Sequence, residues 1–276
     1  MSSTSPGIGG RRIGVLTAEL ARLKRPSPII TAACVITATA ALGSLLALLL
    51  PGQAGGDAAS TDAGAARIPM DLAMLAQPDG AVAALRMLAP QIGIVAYCQF
   101  TLSTGRDLTH GTTRYLRIQG PSGYRIHVGR LLVLGALTTA TIGAALLVSA
   151  IATAVAMAAR GTELHHWATA AALTGALQQW AGAALAACCL GALGSFVALA
   201  TRSGGAAIGI GLVALLVFDP LLSIWEPLRG RTPGALLNNV AWCAPDSGLA
   251  ALAVVTATLL AGWAGTALYG WQSSRI

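Results

Sequence analysis

The sequence predicts an all-α integral membrane protein: six transmembrane helices preceded by an N-terminal amphipathic interfacial helix. Composition points there first. Of 276 residues, 55% are hydrophobic and 10% charged, whereas a soluble globular domain carries roughly 25% charged residues. Mean hydropathy is +0.70. The second observation is that apolar stretches recur along the whole chain at the length of about 20 residues that a spanning helix needs. The third is that cations fall in short segments between those stretches. Together these exclude a soluble enzyme and also a disordered chain, which needs low hydrophobicity and high charge. The net charge of +7 is too scattered for the continuous basic groove of a nucleic-acid binder.

The N-terminal unit is residues 1–28, a cytoplasmic tail with an interfacial helix. Ile13, Leu16, Leu20 and Leu23 follow a 3-4-3 spacing on one helix face. Such a helix lies flat in the headgroup region with its cations near anionic lipid. A plain basic tail that sets topology is the simpler alternative. Residues 29–276 form the transmembrane domain, with spans at about 29–50, 87–105, 131–157, 172–200, 205–224 and 248–271.

Ile29 to Leu50 contains no charge and lies between Pro28 and Pro51. It exceeds the apolar core of a cleaved signal peptide, so it reads as an uncleaved anchor. A Gly-, Ala- and Asp-rich loop is expected over 52–86. The second span is interrupted by Pro90, Gln91 and Gln99, and the fifth continues from Phe218 toward Trp225. Of seventeen cations, Arg67, Arg86, Arg160, Arg229 and Arg231 are on one side of this scheme and the other twelve on the opposite side. The positive-inside rule makes the richer side, with both termini, cytoplasmic. Trp225, Trp242, Trp263 and Trp271 suit interfacial anchors.

Cys34, Cys98, Cys188, Cys189 and Cys243 form no CxxC pair and read as small apolar side chains packed between helices, without a disulfide. Gly205/Gly209 and Gly191/Ser195 have the small-xxx-small spacing that lets helix backbones approach, either inside one subunit or between subunits. The stretch from Asp219 to Asp246 is longer than a turn. Its Trp225, Leu228, Leu236 and Trp242 are candidates for an outer gate, with a surface loop as the alternative. Asp219, beside Pro220, reads as a helix-end acid.

Several chemistries lack their residues. Lys24 is the only lysine and the residue directly before it is Leu23 rather than glycine, so no GxxxxGK[ST] phosphate loop exists. Adjacent His165 and His166 point to different sides of a helix, and His110 and His127 are assigned to the other membrane face, so no metal site is expected. There is no GxSxG or HExxH. No span carries an acid near its middle, which argues against ion-coupled transport.

The most informative stretch follows the second span: Gly105-Arg106-Asp107-Leu108-Thr109-His110-Gly111-Thr112-Thr113-Arg114-Tyr115-Leu116, then Gly120-Pro121-Ser122-Gly123-Tyr124-Arg125 and Gly129-Arg130. It resembles the corresponding region of the ABC-2 type permeases, the membrane subunits of one class of ATP-binding-cassette exporters. Asp107 takes the acid position, where Glu is more usual. Gly111 and Thr112 match a Gly-Thr pair, Arg114, Pro121, Ser122 and Arg125 match the middle, and Arg130 replaces a common Lys. The layout resembles the family over the whole chain and the motif over about 25 residues. The resemblance implies an exporter permease in the plasma membrane, and the heavy use of Ala, Gly and Arg over Lys points to a GC-rich bacterial genome. It also implies a second permease subunit, and a cytoplasmic ATPase that holds ATP and Mg while this chain holds no cofactor. Asp107 through Arg125 would be the loop gripping that ATPase, and the outer stretch would carry short helices. Rival readings are an ion-coupled secondary transporter, a lipid-modifying membrane enzyme and a non-transporting assembly or sensor subunit.

Overall fold

A computed structural model describes residues 80–109, 123–159, 167, 169–225, 232–241 and 247–274. The stripe Ile13, Leu16, Leu20 and Leu23 and the span at 29–50 lie outside the described residues. Every described element is helical. We number them α1 (Gly80–Thr109), α2 (Gly123–Ala159), α3 (Ala170–Thr201), α4 (Gly204–Val213), α5 (Asp219–Ile224), α6 (Pro233–Ala241) and α7 (Ser247–Ser274), with a π-helical turn at Ala214–Phe218 joining α4 to α5. Three stretches are long and apolar enough to cross a membrane: Ile126–Val155, Ala170–Thr201 and Gly204–Leu222. Ala251–Gly265 is a shorter apolar stretch.

Two boundaries differ from the sequence reading. First, α1 begins at Gly80, inside the stretch expected to be loop, and continues unbroken through Pro90, Gln91 and Gln99. A proline inside a helix removes one backbone donor, but neighbouring helices can compensate in an apolar medium. Second, α2 begins at Gly123 rather than near 131. Arg125 and Arg130 therefore stand on the helix, not in the connection before it.

The surface of the bundle is apolar where that of a water-soluble protein would be polar. Leu132, Leu147, Ile151 and Val155 of α2 are each more than 60% exposed, as are Leu252, Leu259 and Trp263 of α7. An apolar surface this extensive is stable against hydrocarbon and not against water. Inside, hydroxyls satisfy themselves on the preceding turn: Thr101 donates to the Tyr97 carbonyl at 2.7 Å, Thr141 to Leu137 at 2.8 Å and Thr153 to Ser149 at 2.9 Å. That pattern lets small polar residues pack between helices where water is absent.

The bundle is organised around α3, whose spanning window is 67% buried against 22% for α2 and 11% for α4 with its continuation. Side-chain size explains this. On one side, Ala183, Ala184 and Ala187 of α3 meet Ile92 and Ala96 of α1 and Ile142 and Ala145 of α2. Gly191 lies directly on the Phe100 ring, and the Thr104 hydroxyl donates to Ser195 Oγ at 3.1 Å. The Gly191/Ser195 pair thus packs within the chain. On the other side, Ala186 and Cys189 meet Val240 and Ala241 of α6 and Val254 of α7.

α4 leans on α1 through a backbone-to-backbone contact. A Cβ at Gly105 would sit 2.5 Å from Gly204 Cα, so only glycine fits there. Tyr97 donates its phenol to the Ala207 carbonyl at 2.8 Å and lays its ring over Gly211. The turn from α3 to α4 is one residue of left-handed backbone, Arg202 at φ 54°. Ser203 then caps α4, its hydroxyl accepting from the Ala206 N–H at 3.3 Å. Gly205 and Gly209 face the other way: among the described residues nothing lies within 4 Å of a Cβ at Gly209.

Candidate functional site

The connection singled out by the sequence lies between α1 and α2. Asp107 sits in the last turn of α1 and Arg130 two turns into α2. Their side chains form an ion pair between Asp107 Oδ2 and Arg130 Nη2, with side-chain exposures of 11% and 5%. These are two of the eight residues assigned to the connection, brought together across twenty-three positions of chain. Gly111, Thr112, Arg114, Pro121 and Ser122 lie outside the described residues. Arg125 is on the first turns of α2, with its side chain outside the description.

Burial decides what this pair does. An exposed pair contributes about 0–1 kcal/mol. A buried one roughly offsets its own desolvation, yet removing one partner costs about 3–5 kcal/mol because the other charge is left stranded. The pair therefore fixes how the end of α1 meets the first turns of α2, since neither partner can be lost alone without a large cost. Arginine suits this role because its guanidinium is weakly hydrated and offers several fixed donors. His127 is buried one turn earlier on α2, at 2% exposure. A Cβ at Gly265 of α7 would be 3.6 Å from its Nε2, so α7 closes over this end. Arg106 and Arg202 are exposed at the same end.

The opposite end has a different chemistry. Pro220 has no N–H to give to the carbonyl four residues back and its ring crowds that carbonyl. The preceding turn widens to the π form over Ala214–Phe218, closed by the Asp219 N–H on the Ala214 carbonyl. Asp219 follows immediately, and its Oδ1 accepts from the Gly234 N–H at 2.8 Å. The Thr232 hydroxyl accepts from the Ala235 N–H at 3.3 Å. Two N–H groups at the start of α6 are thus satisfied, and a carboxylate is favourable there against the helix dipole. The other end of α6 is held by Gln179, which is 1% exposed and whose Nε2 donates to the Ala241 carbonyl.

Between these anchors lies a cavity of about 310 Å³. Ile94 of α1, Leu190 of α3, Leu215 of the π turn and Leu237 of α6 line it with apolar surface, and Asp219 and Asn238 line it with polar atoms. Of the outer-gate candidates, Leu236 packs against the α3–α6–α7 core and Trp225 is 65% exposed. Leu228 and Trp242 lie outside the described residues. Cys98, Cys188 and Cys189 are free thiols. Among the described residues no three His, Cys, Asp or Glu side chains gather.

The sequence reading took Asp219 for a helix-end acid, whereas the helix continues past it to Ile224; it also missed the acid's partner, because nothing local links it to a backbone N–H fifteen residues later. Gln179 and Tyr97 were missed too, although a polar side chain inside an apolar run is itself a signal that a partner waits across the bundle. No family model and no curated protein matches the chain.

Proposed function

We propose that this chain is the six-helix permease subunit of an ABC-type exporter. In this reading an amphipathic helix precedes the first span, both termini are cytoplasmic in a bacterial plasma membrane, and a separate ATPase binds ATP and Mg. The observation that carries the reading is the buried Asp107–Arg130 pair. A motor in another polypeptide must push on a short element that does not give way. The pair joins the helix that leads into segment 110–122 to the helix that follows it. Force applied there enters α1 and α2 as one body, and α1 passes it to α3 and α4 through glycine-close contacts.

Two further features support the reading. Arg106, Arg130 and Arg202 share one end of the bundle and Asp219 marks the other, which favours a cytoplasmic Arg130 end under the positive-inside rule. Among the described residues nothing lies within 4 Å of a Cβ at Gly209, so the Gly205–Gly209 face is available to a second permease subunit in this reading. Purification of the native complex in mild detergent tests the proposal. A nucleotide-hydrolysing partner should co-purify and should be lost with Gly111→Val and Arg114→Glu. Recovery of the chain alone from intact membranes would reject it.

One observation favours a second reading, an ion-coupled carrier: the Asp219 carboxylate borders a cavity within an apolar helix. Transport that collapses with the ion gradient and ignores ATP would select it.

A further inference from the structure

The cavity next to the π turn has a composition that specifies a ligand. Asp219 is one of two acids among the described residues, and the other, Asp107, is neutralised by Arg130 at the far end. A carboxylate has about four acceptor positions, and the Gly234 N–H takes one of them. Asn238 Oδ1 is buried and has no hydrogen-bond partner. A buried acceptor without a donor is unfavourable, so its retention beside a cavity points to a donor that arrives with a ligand. The Asp219 carboxylate and the Asn238 amide oxygen are both acceptors, and no cation is among the residues lining the space.

The walls limit the ligand further. A hard metal cation takes six to eight oxygens, and the carboxylate and amide oxygens here are far fewer. Ile94, Leu190, Leu215 and Leu237 offer hydrocarbon instead. The volume of about 310 Å³ is at the lower end of small-molecule sites, roughly 300–1,000 Å³. The π turn is what aims Asp219 into this space. Widening the turn by one residue rotates everything after Phe218 relative to a regular α-helix, and such turns are frequent at functional sites.

We propose that this cavity binds a hydrophobic organic monocation: an alkylammonium-type amphiphile with its N–H donors on Asp219 and Asn238 Oδ1 and its chain along Ile94, Leu190 and Leu215. As a binding site it depends on the cavity alone; that the bound molecule is cargo rests on the permease reading. The test uses the full chain in neutral phosphatidylcholine nanodiscs, with radiolabelled decylammonium and decanol measured against protein-free discs. Decylammonium should bind saturably and at least about tenfold tighter than decanol, the effect of one charge-assisted hydrogen bond worth about 1.5–3 kcal/mol.

Asp219→Asn keeps an acceptor for the Gly234 N–H and should erase that preference. Leu215→Trp fills the space from a partly exposed position and should abolish binding of both probes with the carboxylate intact. Equal affinity of the wild-type chain for the two probes would overturn the proposal, as would a preference that survives both substitutions. Asp219-dependent binding by a chain that recovers no ATPase would leave the site standing and remove its role as a cargo path. ATP-driven transport by a chain that does not bind decylammonium would do the reverse.

Discussion

Replacing Asp107 with Leu, or Arg130 with Met, should be among the most damaging single changes in the described bundle. Both side chains are almost fully enclosed, at 11% and 5% exposure, so water cannot take over the role of the missing partner. Removing one member of a buried pair costs about 3–5 kcal/mol, roughly a 150- to 4,000-fold loss in the folded-to-unfolded ratio. Removing both is a different experiment. Asp107→Leu with Arg130→Met leaves no stranded charge, and a buried pair replaced by apolar residues of similar volume is often neutral or better. The double variant should therefore recover most of the stability lost by either single one. Unfolding in mixed micelles with increasing denaturing detergent, followed by circular dichroism, reads all four proteins. Singles that lose less than about 1 kcal/mol, as exposed pairs do, would refute the reasoning. So would a double variant whose loss is the sum of the two singles.

Other consequences follow from close contacts. Gly105→Val forces a branched side chain into the Gly204 backbone; it should lower stability by at least the 1–3 kcal/mol of a typical overpacking change and increase cysteine cross-linking distances between α1 and α4. Gly209→Leu meets nothing within the described chain, so it should leave the unfolding midpoint unchanged while reducing self-association in crosslinking assays. Tyr97→Phe removes the phenol that reaches Ala207 and should destabilise the bundle by about 1 kcal/mol. Gly234→Ala pushes a methyl into the Asp219 carboxylate; it should break that hydrogen bond and speed amide exchange at 234–236 by about tenfold.

What could be read from the sequence was what depends on local composition. The helical, apolar character of the chain follows from residue types taken one stretch at a time, and so does the use of Gly191 and Ser195 as a close-packing pair. Helix starts were harder. Gly123 opens α2 with Arg125 and Arg130 already on it, because a charge does not end a helix; it only shifts where the lipid boundary falls. Pro90 misled in the same way, since a missing donor is a local defect that tertiary packing can absorb. The ion pair was half legible: Asp107 and Arg130 both belong to the motif, but their contact depends on how α1 and α2 return past each other. The Asp219–Gly234 and Gln179–Ala241 contacts were not legible at all, because in each a side chain finds a distant backbone group, and backbone groups are the same in every sequence.

The two ends of the bundle are built to opposite mechanical specifications, and α4 with its π turn connects them. At the Arg130 end α4 is held by contacts that tolerate little displacement: glycine against glycine at 105 and 204, and Tyr97 clamped over Gly211 with its phenol on Ala207. Beyond Gly211 the helix loses these restraints. Val213, Leu216, Val217, Phe218 and Leu221 are all exposed, and the hydrogen-bond ladder is already widened by Pro220. A displacement delivered at the locked end cannot be absorbed there, so it emerges where the helix is loosely held, at the turn that positions Asp219. Asp219 in turn holds the Gly234 N–H at the start of α6. If the permease reading holds, a helix closely held at one end and irregular at the other links a push on the α1–α2 end to the width of the cavity beside Asp219, without any rearrangement of the α1–α3 core.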